Sequence, residues 1–244
     1  MRRENKLKEV YDHIGGKPVT CVDIKGWLIF YNIVLDKVLE NLNKNWIHGS
    51  IASNDELYQF ERYVILIEDR RFFKHRGFDI YCLARILRQL AERRRLGGVS
   101  TIEQQYIRTY LNRRDRTLGR KFHEIVLAWL LSHRTDKKKI LRAYLNTAYF
   151  GYQLNSCDAA SQLVFDKPAS NLLTEEAAFL ASLLVYPLPK SIITLAQSHA
   201  LFPVQDIGEF LSITRTTAPW WSARISARVR YSMQRMAANT EKPK

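Results

Sequence analysis

Residues 53–68 decide the fold class, and they read Ser-Asn-Asp-Glu-Leu-Tyr-Gln-Phe-Glu-Arg-Tyr-Val-Ile-Leu-Ile-Glu. The first four residues have the pattern of a capping box, in which a hydroxyl and a carboxylate accept hydrogen bonds from free N–H groups at a helix start. Apolar residues then recur at steps of three, four and three, at Leu57, Phe60, Val64 and Ile67. This spacing puts them on one helix face. The stretch therefore predicts an amphipathic helix that ends at Glu68 and Asp69.

Similar patterns continue along the chain. Ser100-Thr-Ile-Glu103 is a second capping-box pattern, and further helices are predicted from about residues 79, 117, 140, 174 and 219. Strand signals are sparse and lie mainly in the first 50 residues. The longest apolar run, 27–35, is too short to cross a hydrocarbon layer about 30 Å thick. It fits a strand or a turn of a buried helix, with an interfacial anchor as the alternative. The chain is thus predicted to be mainly α.

The bulk composition restricts the partners. The 244 residues are 46% hydrophobic and carry a net charge of +14, so they can build a core and attract nucleic acid, anionic lipid headgroups or a phosphorylated substrate. No nucleic-acid-binding motif is present, and we expect no nucleic acid partner. The three cysteines, Cys21, Cys82 and Cys157, lack metal-ligand spacing and indicate neither a disulfide framework nor a zinc site.

The densest polar cluster is Glu68-Asp-Arg-Arg-Phe-Phe-Lys-His-Arg-Gly-Phe-Asp79. A carboxylate at a helix C-terminus meets the negative end of the helix dipole, and Phe72 and Phe73 could remove water from it. Both effects raise the pKa of Glu68 and favour a general base that works near neutral pH. The alternative is a helix end with surface ion pairs.

This cluster resembles the first signature of the peptidoglycan glycosyltransferases. Four further signatures of that family are matched in order, at residues 98–105, 120–124, 138–146 and 148–151 with 174–181. One such motif is a weak signal, and five in order are a strong one. The resemblance spans about residues 55–189. It implies a lysozyme-like helical head and a small membrane-facing jaw lobe at about 78–99.

The resemblance also implies residue roles. Glu68 corresponds to the general base, which takes the proton from the 4-hydroxyl of the acceptor sugar. Glu124 corresponds to a second essential glutamate near the pyrophosphate of the donor, where it holds either a divalent metal (Mg²⁺ or Mn²⁺) or basic side chains. An i,i+4 ion pair with Arg120 is the structural alternative for Glu124. The expected substrate-binding residues are Asp69, Ser100, Gln104, Gln105, Arg108, Arg116, Arg120 and Lys121.

The sequence departs from the family pattern at five positions. Val99 stands where the family usually has Gly or Ala, Glu103 replaces a Thr, and Arg108 replaces a Lys. Arg142 and Ser132 each replace an acid. Glu103 is expected to place a negative charge near the pyrophosphate site, unless the capping box turns it to its own backbone. The expected consequence of these departures falls on activity and not on the fold.

The resemblance predicts an inverting transferase that polymerises lipid II into glycan chains and releases undecaprenyl pyrophosphate. The expected partners are lipid II, lipid-pyrophosphate-linked glycan and an anionic membrane surface, without an organic cofactor. The expected location is the outer face of the bacterial cytoplasmic membrane, although no export signal is visible. The alternatives are a lysozyme-like lytic enzyme and a degenerate relative that binds the lipid-linked precursor.

We expect three segments in one domain. Residues 1–52 are a partly extended N-terminal segment, and 53–190 are the catalytic core. Residues 191–244 are a loop, to about 218, and a basic C-terminal helix that completes the domain. Glu68 and Glu124 are expected to face one cleft.

Overall fold

The computed structural model describes residues 24–46, 56–81, 92, 100–112 and 117–240. Within these ranges the chain forms ten α helices and one short hairpin, which confirms the mainly α prediction. The helices are α1 (Ile24–Asn45), α2 (Gln59–Glu68), α3 (Ile102–Leu111), α4 (Leu118–Arg134), α5 (Lys137–Thr147), α6 (Cys157–Phe165), α7 (Thr174–Leu183), α8 (Lys190–Ser198), α9 (Ile207–Thr214) and α10 (Pro219–Thr240). Strands β1 (Tyr149–Gly151) and β2 (Leu154–Asn155) pair antiparallel. Two 3₁₀ turns lie at Phe72–Lys74 and Ala169–Asn171.

Helix α7 lies in the core and organises the elements around the site. Its residues from Ala177 to Leu183 are all buried. The alanines let other helices approach closely, and α2 and α10 both pack against α7 and against each other. On the other part of the core, α3 packs against α4 and α5. Helix α2 is thus held by α7 and α10, and α3 is held by α4 and α5.

Two predicted helix starts are displaced. Helix α2 begins at Gln59, where the N–H of Tyr58 donates to the carboxylate of Glu61 at 2.9 Å, so the cap lies later than the predicted Ser53, which is outside the described residues. Helix α3 is capped by Thr101, whose hydroxyl accepts from the N–H of Gln104. Ser100 is therefore not the cap, because its hydroxyl accepts a hydrogen bond from a lysine of α4.

The N-terminal segment, predicted to be partly extended, is helical over Ile24–Asn45, and its apolar run takes the helical one of the two predicted forms. The apolar run 27–35 belongs to helix α1, whose buried residues recur at helical spacing, at Tyr31, Val34, Leu35, Val38 and Leu42. The predicted loop at 191–218 likewise contains helices α8 and α9. Asp206 caps α9 by accepting from the N–H of Glu209 at 2.9 Å, a start signal that the prediction missed.

The predicted jaw lobe at 78–99 lies almost wholly outside the described residues, as does the N-terminal part of the 1–52 segment. In the described part of the chain, no helix combines the length and the apolar character needed to span a bilayer.

Candidate active site

Glu68 ends helix α2 and is held from two sides. Its Oε2 accepts from Nε2 of Gln105 at 3.2 Å, and its Oε1 accepts from the guanidinium of Arg228 at 2.8 Å. Burial raises the pKa of Glu68 above its usual value of 4.5, although the Arg228 charge and the two hydrogen bonds act to lower it. The predicted direction of the shift is confirmed, and its largest cause is removal from water.

A cavity of about 560 Å³ opens beside this carboxylate. Its wall carries both charge signs, with four basic residues, Arg70, Arg71, Lys74 and Arg235, and three acidic ones, Glu68, Asp69 and Asp79, beside Ser100 and Tyr231. Asp69 and Asp79 are engaged by His75 and Arg71. A concave site with several cations and a desolvated carboxylate at Glu68 suits an anionic substrate and a proton transfer.

Asp69 lines this cavity, but its carboxylate is already engaged. It accepts from the N–H of Ile102 at 3.1 Å, and Nε2 of His75 lies 3.0 Å from both of its oxygens. These contacts tie the end of α2 to the start of α3. Asp69 therefore fixes the two helices that carry Glu68 and Gln105, which is an indirect contribution to the site.

The second predicted carboxylate, Glu124 on α4, lies in a cationic cluster. Its Oε1 is paired with Arg120, and its Oε2 lies 3.4 Å from Nζ of Lys121. The same ammonium donates to the hydroxyl of Ser100 at 2.9 Å and to Oε1 of Gln104 at 2.6 Å. Burial is the largest cause that lowers the pKa of Lys121 from 10.5. Five predicted site residues thus form one network.

Helix α3 links this network to Glu68. Gln104 contacts Lys121, and the next residue, Gln105, contacts Glu68. The two carboxylates do not face the cavity equally, because Glu124 is 2% exposed and is covered by its two basic partners. Of these two carboxylates, only Glu68 lines the cavity. The network around Lys121 and Glu124, called the Lys121 network below, reaches the cavity through Ser100.

The contacts of Glu124 fit basic side chains and not a divalent metal. Two cations already take its oxygens, and a metal site needs several oxygen or nitrogen ligands free of such charges. Elsewhere in the described residues, ligand atoms of Asp69, His75 and Glu103 lie within 4.8 Å of one another. There, too, the carboxylate already has a cation, because Lys137 on α5 forms an ion pair with Glu103.

Two of the departures from the family pattern contact each other. The hydroxyl of Ser132 donates to Oε1 of Glu103 at 3.2 Å, and Lys137 pairs with the same oxygen. Glu103 is fully buried there. The negative charge of Glu103 is therefore compensated inside the fold by these two groups, and its carboxylate does not turn to its own backbone.

Arg142 is also an interior residue. Its Nε donates to Glu61 at 2.9 Å, and the two side chains are 5% and 0% exposed. A further hydrogen bond of 3.2 Å reaches the carbonyl of Glu56. Arg142 thus satisfies a buried acid and takes no part in the cavity wall.

Of the predicted residues not yet placed, only Arg108 lies in the described part of the chain. Arg108 is half-buried on α3 and makes no hydrogen bond or ion pair within the described ranges, but its charge acts on Lys121 and on Tyr144. Arg116 and the unusual Val99 lie outside the described residues.

The sequence-based prediction missed two residues that hold the base. The hydroxyl of Tyr144 donates to Oε1 of Gln105 at 2.7 Å and so orients the amide that binds Glu68. Arg228 contacts Glu68 itself. Tyr144 lies inside the fourth signature, which was a usable signal, whereas Arg228 was seen only as one arginine of a basic helix.

Comparison with known proteins gives consistent similarities. The family model described as Transglycosylase matches residues 36–200. The biosynthetic peptidoglycan transglycosylase of Haemophilus influenzae is 34% identical over 177 residues, which are 69% of this chain and 70% of that protein. The Acinetobacter baumannii protein of the same name is 34% identical over 142 residues, 58% of this chain and 63% of that protein. Penicillin-binding protein 2D of Bacillus subtilis is 40% identical over 120 residues, 49% of this chain and 17% of that protein. The chain thus spans less than two thirds of the last two relatives.

Proposed function

The chain belongs to the transglycosylase family, and we propose on that basis that it is a peptidoglycan glycosyltransferase that polymerises lipid II into glycan chains. The observation that carries the proposal is the desolvated carboxylate of Glu68, which faces a cavity with four basic side chains in its wall and is linked through α3 to the Lys121 network.

Glu68 is the proposed general base. The growing glycan on undecaprenyl pyrophosphate is the donor, and lipid II is the acceptor. Glu68 takes the proton of the acceptor 4-hydroxyl as that oxygen attacks the anomeric carbon and inverts its configuration. A raised pKa makes the carboxylate a better proton acceptor near neutral pH than an exposed glutamate.

Arg120 and Lys121 are proposed to stabilise the departing pyrophosphate. Negative charge develops on the leaving oxygen, and fixed cations at that point stabilise it without having to reorient. Glu124, Ser100 and Gln104 hold these cations in place. A divalent metal stays a prediction from the sequence, and no step here passes through one.

The proposed setting is the outer face of the cytoplasmic membrane, where the lipid-linked substrates lie. Ile80 and Tyr81 stand at the start of the predicted jaw lobe and are 68% and 59% exposed. Together with the arginines that follow in the sequence, they suit the surface of an anionic bilayer. Sedimentation with anionic vesicles should therefore show binding that weakens as salt rises.

A lytic enzyme would use the same carboxyl group in its protonated form, as an acid. The ion pair with Arg228 opposes protonation of Glu68, whereas burial, the larger effect, favours it, so the charge state of this carboxyl group does not by itself separate the two enzymes. Incubation with labelled lipid II and, separately, with preformed peptidoglycan distinguishes the candidates. The proposal expects long glycan chains from lipid II and no cleavage of peptidoglycan. Cleavage without polymerisation would support the lytic enzyme, and binding of lipid II without either product would support a degenerate relative.

A further inference from the structure

The C-terminal helix forms one wall of the catalytic cavity. Arg228, Tyr231 and Arg235 follow one another at steps of three and four on α10, which places them on one helix face. Tyr231 and Arg235 line the cavity, and Arg228 contacts the proposed base. This helix lies beyond residue 200, where the match to the family model ends.

Arg228 makes two contacts with the end of α2. Its guanidinium donates to Oε1 of Glu68 at 2.8 Å and to the carbonyl of Ile67 at 3.4 Å. The Arg228 and Glu68 side chains are only 23% and 13% exposed. Because one terminal nitrogen of Arg228, Nη2, donates both to the carboxylate of Glu68 and to the backbone beside it, the pair restricts the direction of that carboxylate.

We propose that Arg228 is the positioning residue of the base: it aims the Glu68 carboxylate into the cavity and, through their ion pair, favours its ionised form. This inference rests on the proposed function of Glu68. It does not require Arg228 to move during the reaction. A carboxylate has about four lone-pair sites, and Gln105 and Arg228 take one on each oxygen, so capacity remains for the acceptor hydroxyl.

Other charges near Glu68 do not replace Arg228. Asp69, the next residue, disfavours ionisation of Glu68, and α3 and α5 present Gln105 and Tyr144. The cavity wall adds Tyr81, Tyr231 and charged groups, namely Arg70, Arg71, Lys74, Asp79 and Arg235. Arg108 on α3 acts on the neighbouring Tyr144. Among the described residues, Arg228 is the one cation in an ion pair with Glu68.

Loss of this charge should make Glu68 harder to ionise. An opposite charge in contact with a carboxylate lowers its pKa by about 1–3 units, and partial exposure places this pair at the low end. In Arg228→Gln, the acidic limb of the pH–rate profile should therefore move up by about one unit. At pH values below the acidic limb, polymerisation by Arg228→Gln should be about tenfold slower than by the wild type. This difference should shrink as pH rises. Arg228→Lys keeps the charge but places it on a compact ammonium at the end of a differently shaped side chain, and it should give an intermediate shift.

The matched control is Arg230→Gln, because Arg230 lies on the same helix and is exposed. It should leave the acidic limb where it is. Circular dichroism and thermal unfolding establish that each variant is folded. If Arg228→Gln does not fold, the comparison of wild type with Arg228→Lys decides the question.

The decisive measurement does not need turnover. A ¹³C NMR titration of the glutamate carboxyl groups, with the Glu68 signal assigned by its loss in Glu68→Gln, gives its pKa in each variant. The inference expects a higher pKa in Arg228→Gln than in wild type. An unchanged pKa, or a rate loss equal at every pH, would overturn it and reduce Arg228 to a structural residue. Failure of the wild type to polymerise lipid II would instead sink the proposed function, while the titration still decides the role of Arg228.

Discussion

The ion pair between Arg142 and Glu61 should stabilise the fold without affecting catalysis. Both side chains are almost completely buried, and Nε of Arg142 lies 2.9 Å from Oε1 of Glu61. In Arg142→Met the carboxylate of Glu61 keeps the N–H of Tyr58 as a donor and loses its cation. An uncompensated buried charge of this kind costs about 3–5 kcal/mol of unfolding free energy.

The double variant Arg142→Met with Glu61→Gln isolates that charge. The amide of Gln keeps an acceptor for the N–H of Tyr58 and carries no charge, so the double variant should recover a large part of the loss. Urea denaturation gives each free energy of unfolding. The control is Lys44→Met, because the Lys44–Glu40 side chains are 68% and 66% exposed and their pair should contribute nothing detectable.

Two results would refute this reasoning. One is that Arg142→Met lowers the free energy of unfolding by less than about 1 kcal/mol, which is the range measured for surface ion pairs. The other is additivity, in which the double variant is as unstable as the sum of the single ones. Polymerisation per folded molecule should be unchanged in Arg142→Met, since the pair takes no part in the cavity wall.

Further predictions concern pH and backbone geometry. Burial raises the pKa of Glu68 above 4.5 and lowers that of Lys121 below 10.5. The acidic limb of the kcat/KM profile should therefore lie above pH 4.5, and the alkaline limb should lie below pH 10.5. Lys121→Arg should remove the alkaline limb, because arginine stays charged. Gly77→Ala should cost about 2–5 kcal/mol in denaturation, since Gly77 has a φ of +73° and a Cβ there would lie 2.2 Å from the carbonyl oxygen of Ala128. Gly119→Ala, with open space around it, should cost nothing.

The helices with long apolar periodicity were predictable, and their exact starts were not. Helix α4 begins at Leu118, one residue from the predicted start, and α10 begins at Pro219 as predicted. The run 27–35 was ambiguous because a short apolar run suits a strand as well as a buried helix. Its helical character follows from packing of α1 against α4 and α5, which are distant in sequence. Tertiary contact therefore decided what local pattern could not.

The site was predictable to the extent that its residues lie in contiguous motifs. Glu68 and the Lys121 network fall inside the signatures. Arg228 lies 160 residues from Glu68, so sequence spacing gave no reason to join them. The partners of Glu103 and Arg142 are also distant in sequence, so the sequence did not show that both charges are compensated inside the fold. The two residues were therefore expected to affect activity.

The central claim is that Glu68 is the base of a polymerising transferase, and its most direct test is the rate of lipid II polymerisation by Glu68→Gln. Removal of a general base costs about 10²–10⁴ in rate. Glu175→Gln, an exposed acid on α7, is the matched control and should keep the wild-type rate.

The claim predicts a loss of that size in Glu68→Gln, with folding intact and with largely unchanged affinity for a pyrophosphate-bearing donor analogue. The affinity should be kept because the contribution of the base is realised in the transition state. A Glu68→Gln protein that polymerises lipid II within about tenfold of the wild-type rate would contradict the claim, since that loss is below the range expected for a general base.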